Sequence, residues 1–107
     1  MIARIWHAYT SKENAGAYEN LLKGEIFVWI EQKKVRGYKG IQLLRRDLET
    51  EVEFTTMMWF DHLASVREFA GEDYENAVVP ARAREIMARF DAKSVHCEVR
   101  HSLQYDF

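Results

Sequence analysis

The sequence has little cysteine, little proline and little net charge: its 107 residues include one Cys and one Pro, and the formal charge at pH 7 is −2. A single cysteine, Cys97, excludes an intrachain disulfide framework and is typical of a cytoplasmic protein. The basic residues are interleaved with acidic ones, so no field of one sign is available to bind nucleic acid. No apolar run approaches membrane-spanning length. Arg4 interrupts the segment that a signal peptide would keep apolar. We therefore expect neither nucleic acid nor a membrane as a partner.

Several motifs of catalysis are also missing. The chain has no Ser/His/Asp set, no Gly-rich phosphate loop and no nucleotide-binding fingerprint. It has no His-x-His or helical two-His spacing, and Cys97 points away from His96 and Glu98 on a strand, so we expect no metal site. Hydrophobic residues make up 48% of the chain, and aromatic residues make up 13% of it. That composition predicts one globular domain spanning residues 1–107.

The stretch from Glu51 to Gly71 is the best-defined part of the pattern. Apart from Glu51 and Glu53, residues 51–60 are β-branched, aromatic or apolar, and the even positions form a largely apolar face, which predicts a strand. Asp61 is predicted to cap a helix that Gly71 ends. Because Trp59 and Phe60 lie on opposite faces at the strand exit, we expect both faces to be covered there.

The remaining elements are read from periodicity. Residues 2–9, 38–46 and 93–105 alternate as strands. One helical segment is predicted after a cap at Thr10 or Ser11, with a break or kink at Gly24, and another from Pro80 onward. The stripe Ala83, Ile86, Met87 and Phe90 is the strongest helical signal. The order of elements predicts an α+β, ferredoxin-like fold, with an antiparallel four-stranded sheet and helices on one face.

Several pieces of the chain resemble a known family. They are MIARIW at residues 1–6, Trp59, the run FAGEDYE at 69–75, AVVP at 77–80, and the final His96-x-Glu98-Val99. These resemble the antibiotic biosynthesis monooxygenase-type domains of the dimeric α+β barrel superfamily. The resemblance implies a homodimer and, in one characterised branch, oxidation of an aromatic molecule without a cofactor. The haem-degrading branch uses an Asn on the first strand and a His where this chain has Phe69, so we expect no haem turnover.

Four residues are candidates for a site. Trp59 either lines a substrate pocket or is a core tryptophan, and Tyr74 either covers a pocket or plugs the sheet edge. His7 is a candidate base or a satisfied core or interface histidine. His96 shares a strand face with Glu98, whose carboxylate either orients the imidazole for proton transfer or pairs with a neighbouring arginine at an interface.

The leading prediction is a homodimeric, cofactor-independent monooxygenase. It would act on a small aromatic or polycyclic molecule in a pocket between sheet and helices, with His7 or His96 as the catalytic base and Trp59 and Tyr74 binding the substrate. An electron-rich, deprotonated substrate can itself reduce oxygen, so the protein needs only a base, an anion-stabilising group and a dry pocket. Two alternatives stay open: an isomerase or lyase of the same superfamily, and a non-catalytic small-ligand-binding dimer.

Overall fold

A computed structural model describes the whole chain, residues 1–107. Its strands are β1 (Ile2–Ser11), β2 (Tyr38–Asp47), β3 (Glu51–Phe60), β4 (Arg89–Phe90) and β5 (Val95–Glu98). Its α-helices are α1 (Ala15–Leu21), α2 (Phe27–Gln32), α3 (Leu63–Ala70) and α4 (Ala81–Arg84), and a π-helical turn, Leu22–Ile26, joins α1 to α2. None of these helices is long and apolar enough to cross a bilayer.

The sheet is antiparallel, with β3 and β1 at its centre. The order is β2-β3-β1, and both β4 and β5 pair with the free edge of β1. Ala8 and Tyr9 pair with β4, while Ile2–Ile5 pair with β5, so these two short strands together occupy the position of one edge strand. The predicted ferredoxin-like α+β fold is confirmed, with the fourth strand divided in two.

Strand parity separates the two faces of the sheet. On β3 the even residues Val52, Phe54, Met58 and Phe60 are buried, and they face the helices. The odd residues of β1 and β3 point to the other face, which no element of the chain covers; we call it the open face. Ile5 pairs with Met57 and Ala3 pairs with Trp59 on this face. We expected both faces of the sheet to be covered at the end of β3. The chain itself covers only the face that lies against the helices.

The first helical segment is continuous through Gly24, where a break or kink was expected. Gly24 lies inside the π-helical turn, and no side chain packs where a Cβ of Gly24 would be. The segment nevertheless continues, because Tyr18, Leu22 and Ile30 all pack into the core from one side. π-Turns inside α-helices occur often at functional sites.

Two sequence predictions after Pro80 are wrong. Helix α4 contains four residues, and Phe90 lies in β4 opposite Ala8. The apolar stripe is real, since Ala83 is buried and Ile86 and Met87 pack on the core, but the backbone leaves the helix. The backbone instead pairs with the free edge of β1, where the Ala88 amide donates a hydrogen bond to Tyr9 O at 2.8 Å. Strand β5 likewise ends at Glu98 rather than Tyr105.

The start of α3 also differs from its prediction. The residue before its first turn is His62, which makes no side-chain cap, and the Asp61 carboxylate instead accepts a hydrogen bond from the Ser65 hydroxyl at 2.9 Å. The Asp61 backbone amide donates a hydrogen bond to Gly37 O at 2.9 Å, which connects the start of β2 to the end of β3. Gly71 ends the helix with φ +93°, as predicted.

Candidate functional site

A cavity lies between the helix side of the sheet and the helices. Its volume is about 60 Å³, room for a few water molecules at roughly 10–15 Å³ each. Eleven of its 15 lining residues are hydrophobic, and Arg4 is the one charged residue among them. The sheet contributes Arg4, Trp6, Thr56 and Met58, and the helical segments contribute Tyr18, Leu22, Phe27, Ile30, Phe69 and Ala83.

An outer cleft adjoins this cavity. Its volume is about 430 Å³, and it shares Ile26 and the segment 78–80 with the cavity, so these residues form the wall between the two. Trp29 lines the outer side, where an ion pair joins Glu25 of the π-turn to Arg82 of α4. A ligand of drug-like size needs roughly 300–1,000 Å³. A ligand of that size fits the volume of the outer cleft, and the inner cavity alone is too small for it.

Arg4 is a buried cation without an anionic partner. Its relative exposure is 3%. The Nη1 atom donates to Tyr74 O, and the Nη2 atom donates to Asn76 O at 3.1 Å. Burial lowers the pKa of the guanidinium to about 10, and no carboxylate opposes this effect, so Arg4 stays charged at neutral pH. Buried charges are normally paired, which makes this one a candidate ligand-binding group.

His96 lies beside Arg4. Its Nε2 is 2.9 Å from Arg4 Nη1, and because a guanidinium only donates, Nε2 accepts and Nδ1 carries the proton of the neutral ring. The edge of the ring meets Tyr74 at 5.1 Å between centroids. Burial lowers the pKa of His96, and the nearby Arg4 charge lowers it further, with Glu75 opposing. His96 is therefore neutral at pH 7, with its lone pair directed at Arg4.

The other polar groups of the cavity are hydroxyls and one indole. Tyr18, Thr56 and Ser94 line it, and burial raises the pKa of the Tyr18 hydroxyl far above its usual value, so that this hydroxyl stays protonated. The Trp6 indole donates to Asp91 O at 2.6 Å, which fixes its ring against the cavity. The cavity thus offers a cation and hydroxyls, and no carboxylate or imidazole among its lining residues.

A search of solved structures finds the same architecture elsewhere. The crystal structure of a putative antibiotic biosynthesis monooxygenase from Bacillus cereus matches with a TM-score of 0.70 over 100% of this chain and 98% of that chain. The chain has the fold of that protein. At 11% sequence identity the likeness establishes the fold alone. No family model matches the chain, and no curated protein matches its sequence.

Within this monooxygenase-like fold, the four predicted site residues lie on two different faces. His96 and Tyr74 lie together beside Arg4, at the rim of the cavity. Trp59 and His7 lie on the open face, outside the cavity. His7 pairs with Thr55, four residues before Trp59, roughly 13 Å at about 3.3 Å per residue. Its Nδ1 is 3.0 Å from Asp91 Oδ2. Roles for Trp59 and His7 in a site stay predictions, and they require a pocket on the open face.

Sequence reasoning missed Arg4 and Trp6 as site residues. The signal was present, because alternation along the first strand places Ile2, Arg4, Trp6 and Ala8 on one face. An arginine among apolar residues on the buried face of a central strand is uncommon. The alternation along the first strand did not show which of its two faces is buried. Cys97 is exposed on the open face.

Proposed function

We propose that the protein is a cytoplasmic, homodimeric monooxygenase that oxidises a small aromatic substrate with molecular oxygen and needs no metal or flavin. The observation that carries the proposal is the guanidinium of Arg4, without an anionic partner, in a cavity lined mostly by apolar residues. A fixed positive charge in a water-poor site stabilises the anionic form of a substrate far better than the same charge in water. The shared fold with a putative monooxygenase supports the reaction class.

The chemistry follows from the anion. An aromatic anion with electron density on carbon transfers one electron to oxygen, and the resulting radical and superoxide combine to form a carbon–oxygen bond. Loss of water from the hydroperoxide converts a CH₂ group to C=O, so one O₂ yields the carbonyl oxygen and one water. The protein's part is to hold the anion, exclude bulk water and confine the radical pair. The apolar walls of the cavity suit both tasks.

In this proposal His96 is a positioning residue. Its Nε2 accepts from Arg4, and its ring is outside the cavity lining. It holds the guanidinium toward the cavity together with the Tyr74 carbonyl. A direct base role for His96 or His7 stays a prediction.

A specific observation favours a second candidate, the non-catalytic ligand-binding dimer. Among the residues that line the cavity, none is a carboxylate or an imidazole, so no ordinary side-chain base touches a ligand there. General acid–base catalysis needs such a group within hydrogen-bond reach. A protein that only binds its ligand needs none.

Oxygen consumption decides between these candidates. Wild type is assayed with hydroxylated benzenes, naphthalenes and anthrones in the presence of a metal chelator, and uptake that persists with chelator supports the monooxygenase. Arg4→Gln should lower kcat/KM by roughly 10²–10³-fold, as loss of one anion-stabilising donor does. His7→Gln is the matched control, since His7 is on the other face of the sheet, and it should leave the rate unchanged.

The opposite results are equally clear. Uptake that ends with chelator contradicts the cofactor-free reaction. A rate that falls with His7→Gln and survives Arg4→Gln places the site on the open face. Ligand-induced stabilisation of the wild type without any uptake selects the binding dimer.

The homodimer is proposed through the open face. Ile5, Met57 and Trp59 lie at its centre, and Leu44 and Val95 are 47% and 57% exposed. An apolar sheet face that the chain itself leaves uncovered is typical of an interface between identical subunits. Residues 99–107 add exposed Leu103, Tyr105 and Phe107, which a second subunit would also cover.

A further inference from the structure

We propose that the ligand of the cavity is an aromatic oxyanion that is already ionised when it binds, and that Arg4 selects it by pairing with its charge. The inference rests on the cavity of the proposed function, and it does not rest on the oxidation. It names the substrate class, a single aromatic ring bearing a carboxylate or an acidic phenol oxygen. For a phenolate, whose charge is delocalised onto ring carbons, it also removes the need for a protein base.

The first argument is charge. Arg4 forms none of the ion pairs of the chain, and burial is the only cause that shifts its pKa. Keeping a cation unpaired at 3% exposure opposes folding, because desolvation disfavours the charged form. An anion that enters the cavity supplies the missing partner. A neutral ligand leaves the charge unpaired and adds further desolvation.

The second argument is the number of free donors. A guanidinium has five N–H groups in a planar fork. The Nη1 atom donates to Tyr74 O and His96 Nε2, and the Nη2 atom donates once, to Asn76 O. The Nε–H and one Nη2–H remain without a protein acceptor. Nε and Nη2 share one edge of the fork, which is the edge that carboxylates engage with two parallel hydrogen bonds.

One of these donors keeps some accessible surface. No fully buried side-chain nitrogen or oxygen lacks a partner, so the unpartnered Nε is not fully buried, and Arg4 lines the cavity. The Phe69 ring lies under the guanidinium, with 5.7 Å from Cζ to the ring centroid. It restricts the orientation of the fork and provides an aromatic wall on which a ligand ring packs.

The third argument is the absence of a base. The lining residues provide no carboxylate or imidazole, and the His96 lone pair is engaged by Arg4. A substrate that had to lose its proton inside the cavity would find no acceptor there. A substrate that leaves its proton in bulk water before binding needs none, and the cation then favours that form over the neutral one.

The test is equilibrium binding under argon, read by tryptophan fluorescence or calorimetry. Benzoate and benzamide are a matched pair of the same shape, and a nitrophenol titrated with pH provides the phenol arm. Because oxygen is excluded, the result is independent of whether the protein oxidises anything. We expect benzoate to bind roughly 100-fold more tightly than benzamide, since a hydrogen bond to a charged group contributes about 1.5–3 kcal/mol. Affinity for the nitrophenol should rise with pH at the midpoint of the phenol's own ionisation.

Variants make the test specific to Arg4. Arg4→Gln should abolish the preference for benzoate, and Arg4→Lys should retain part of it. Arg45→Gln is the control, because Arg45 lies on the same side of the sheet but is exposed and paired with Glu19 and Asp47. The comparison of benzoate with benzamide uses wild type alone, so it holds even when an Arg4 variant fails to fold.

Each other outcome overturns the inference. Benzamide binding as tightly as benzoate shows that charge is not recognised. A pH midpoint that is the same for every ligand shows that a protein group titrates. No binding of any probe at millimolar concentration excludes aromatic oxyanions as the ligand class. Binding of benzoate without the phenolate, or the reverse, supports the inference and tells the two sources of the charge apart.

Discussion

Replacing Arg4 with methionine should cost the protein little stability. Two effects oppose each other. The guanidinium has a pKa lowered to about 10 by burial, which at 1.36 kcal/mol per pH unit corresponds to roughly 3 kcal/mol against the charged form. Methionine removes this cost.

The loss of hydrogen bonds acts in the other direction. Arg4 contacts three acceptors, Tyr74 O, Asn76 O and His96 Nε2. Each is worth about 1 kcal/mol, since Tyr74 and His96 are half-exposed and Asn76 is exposed, so that water replaces the lost donor. The two effects nearly cancel, so the expectation for Arg4→Met is a change of less than about 1 kcal/mol in the free energy of unfolding, or less than about 4–8 °C in Tm.

Urea unfolding followed by circular dichroism measures this difference. Arg45→Met, at an exposed arginine on the same side of the sheet, is the control and should change stability by less than about 0.5 kcal/mol. A loss above about 3 kcal/mol for Arg4→Met is the range of a broken structural ion pair. It would show that Arg4 is retained for the fold, and it would refute the argument that its charge awaits a ligand.

Three further outcomes are expected. Light scattering at micromolar concentration should give twice the 12.7 kDa chain mass, and Met57→Lys on the open face should give the monomer mass; a stable wild-type monomer would contradict the proposed interface. Since the pKa of His96 is lowered by burial and by Arg4, the unfolded chain binds the proton first, so stability should fall as pH decreases below about 6.5, and His96→Gln should flatten that dependence in thermal melts. Gly37→Ala should lose about 2–3 kcal/mol in the same melts, because φ is +87° and the new Cβ would lie 2.0 Å from Asp61 Oδ1; a neutral effect would contradict this packing.

The fold was largely predictable from the sequence where local pattern and tertiary packing agree. Strand β3 has the predicted bounds, Glu51–Phe60. Its even residues face a core, and the turn that leads into it from β2 has three residues. The end of α3 was predictable because Gly71 has the positive φ that this stop requires. In both places the local preference and the tertiary environment select the same conformation.

The region after Pro80 was not predictable for a physical reason. The apolar stripe of Ala83, Ile86, Met87 and Phe90 has helical spacing, yet the chain leaves the helix after Arg84. The edge of β1 offers unpaired backbone groups to any segment that lies beside it, and pairing with Ala8 outweighs helical propensity at Phe90. Hydrophobic spacing predicts which residues are buried. It does not show whether pairing with a strand edge will compete with helix formation.

The candidate site was predictable only in part. Tyr74 and His96 were identified, and the structure places both beside Arg4. Trp59 was placed in the pocket between sheet and helices because it ends the central strand, but alternation puts it on the face opposite Phe60. One residue of register moves a side chain to the other face of a sheet, and sequence alone did not identify the face with the cavity.

The three tryptophans allow one direct test of where the ligand binds. Trp6 lines the cavity, Trp29 lines the outer cleft and Trp59 lies on the open face. Each gives a separate indole N–H signal in a ¹⁵N-correlated NMR spectrum, recorded during titration with benzoate under argon. The account predicts that the Trp6 signal shifts with saturation, that Trp29 shifts less, and that Trp59 stays in place. A shift of Trp59 with an unchanged Trp6 signal would contradict the account, because it would place the binding site on the open face of the sheet.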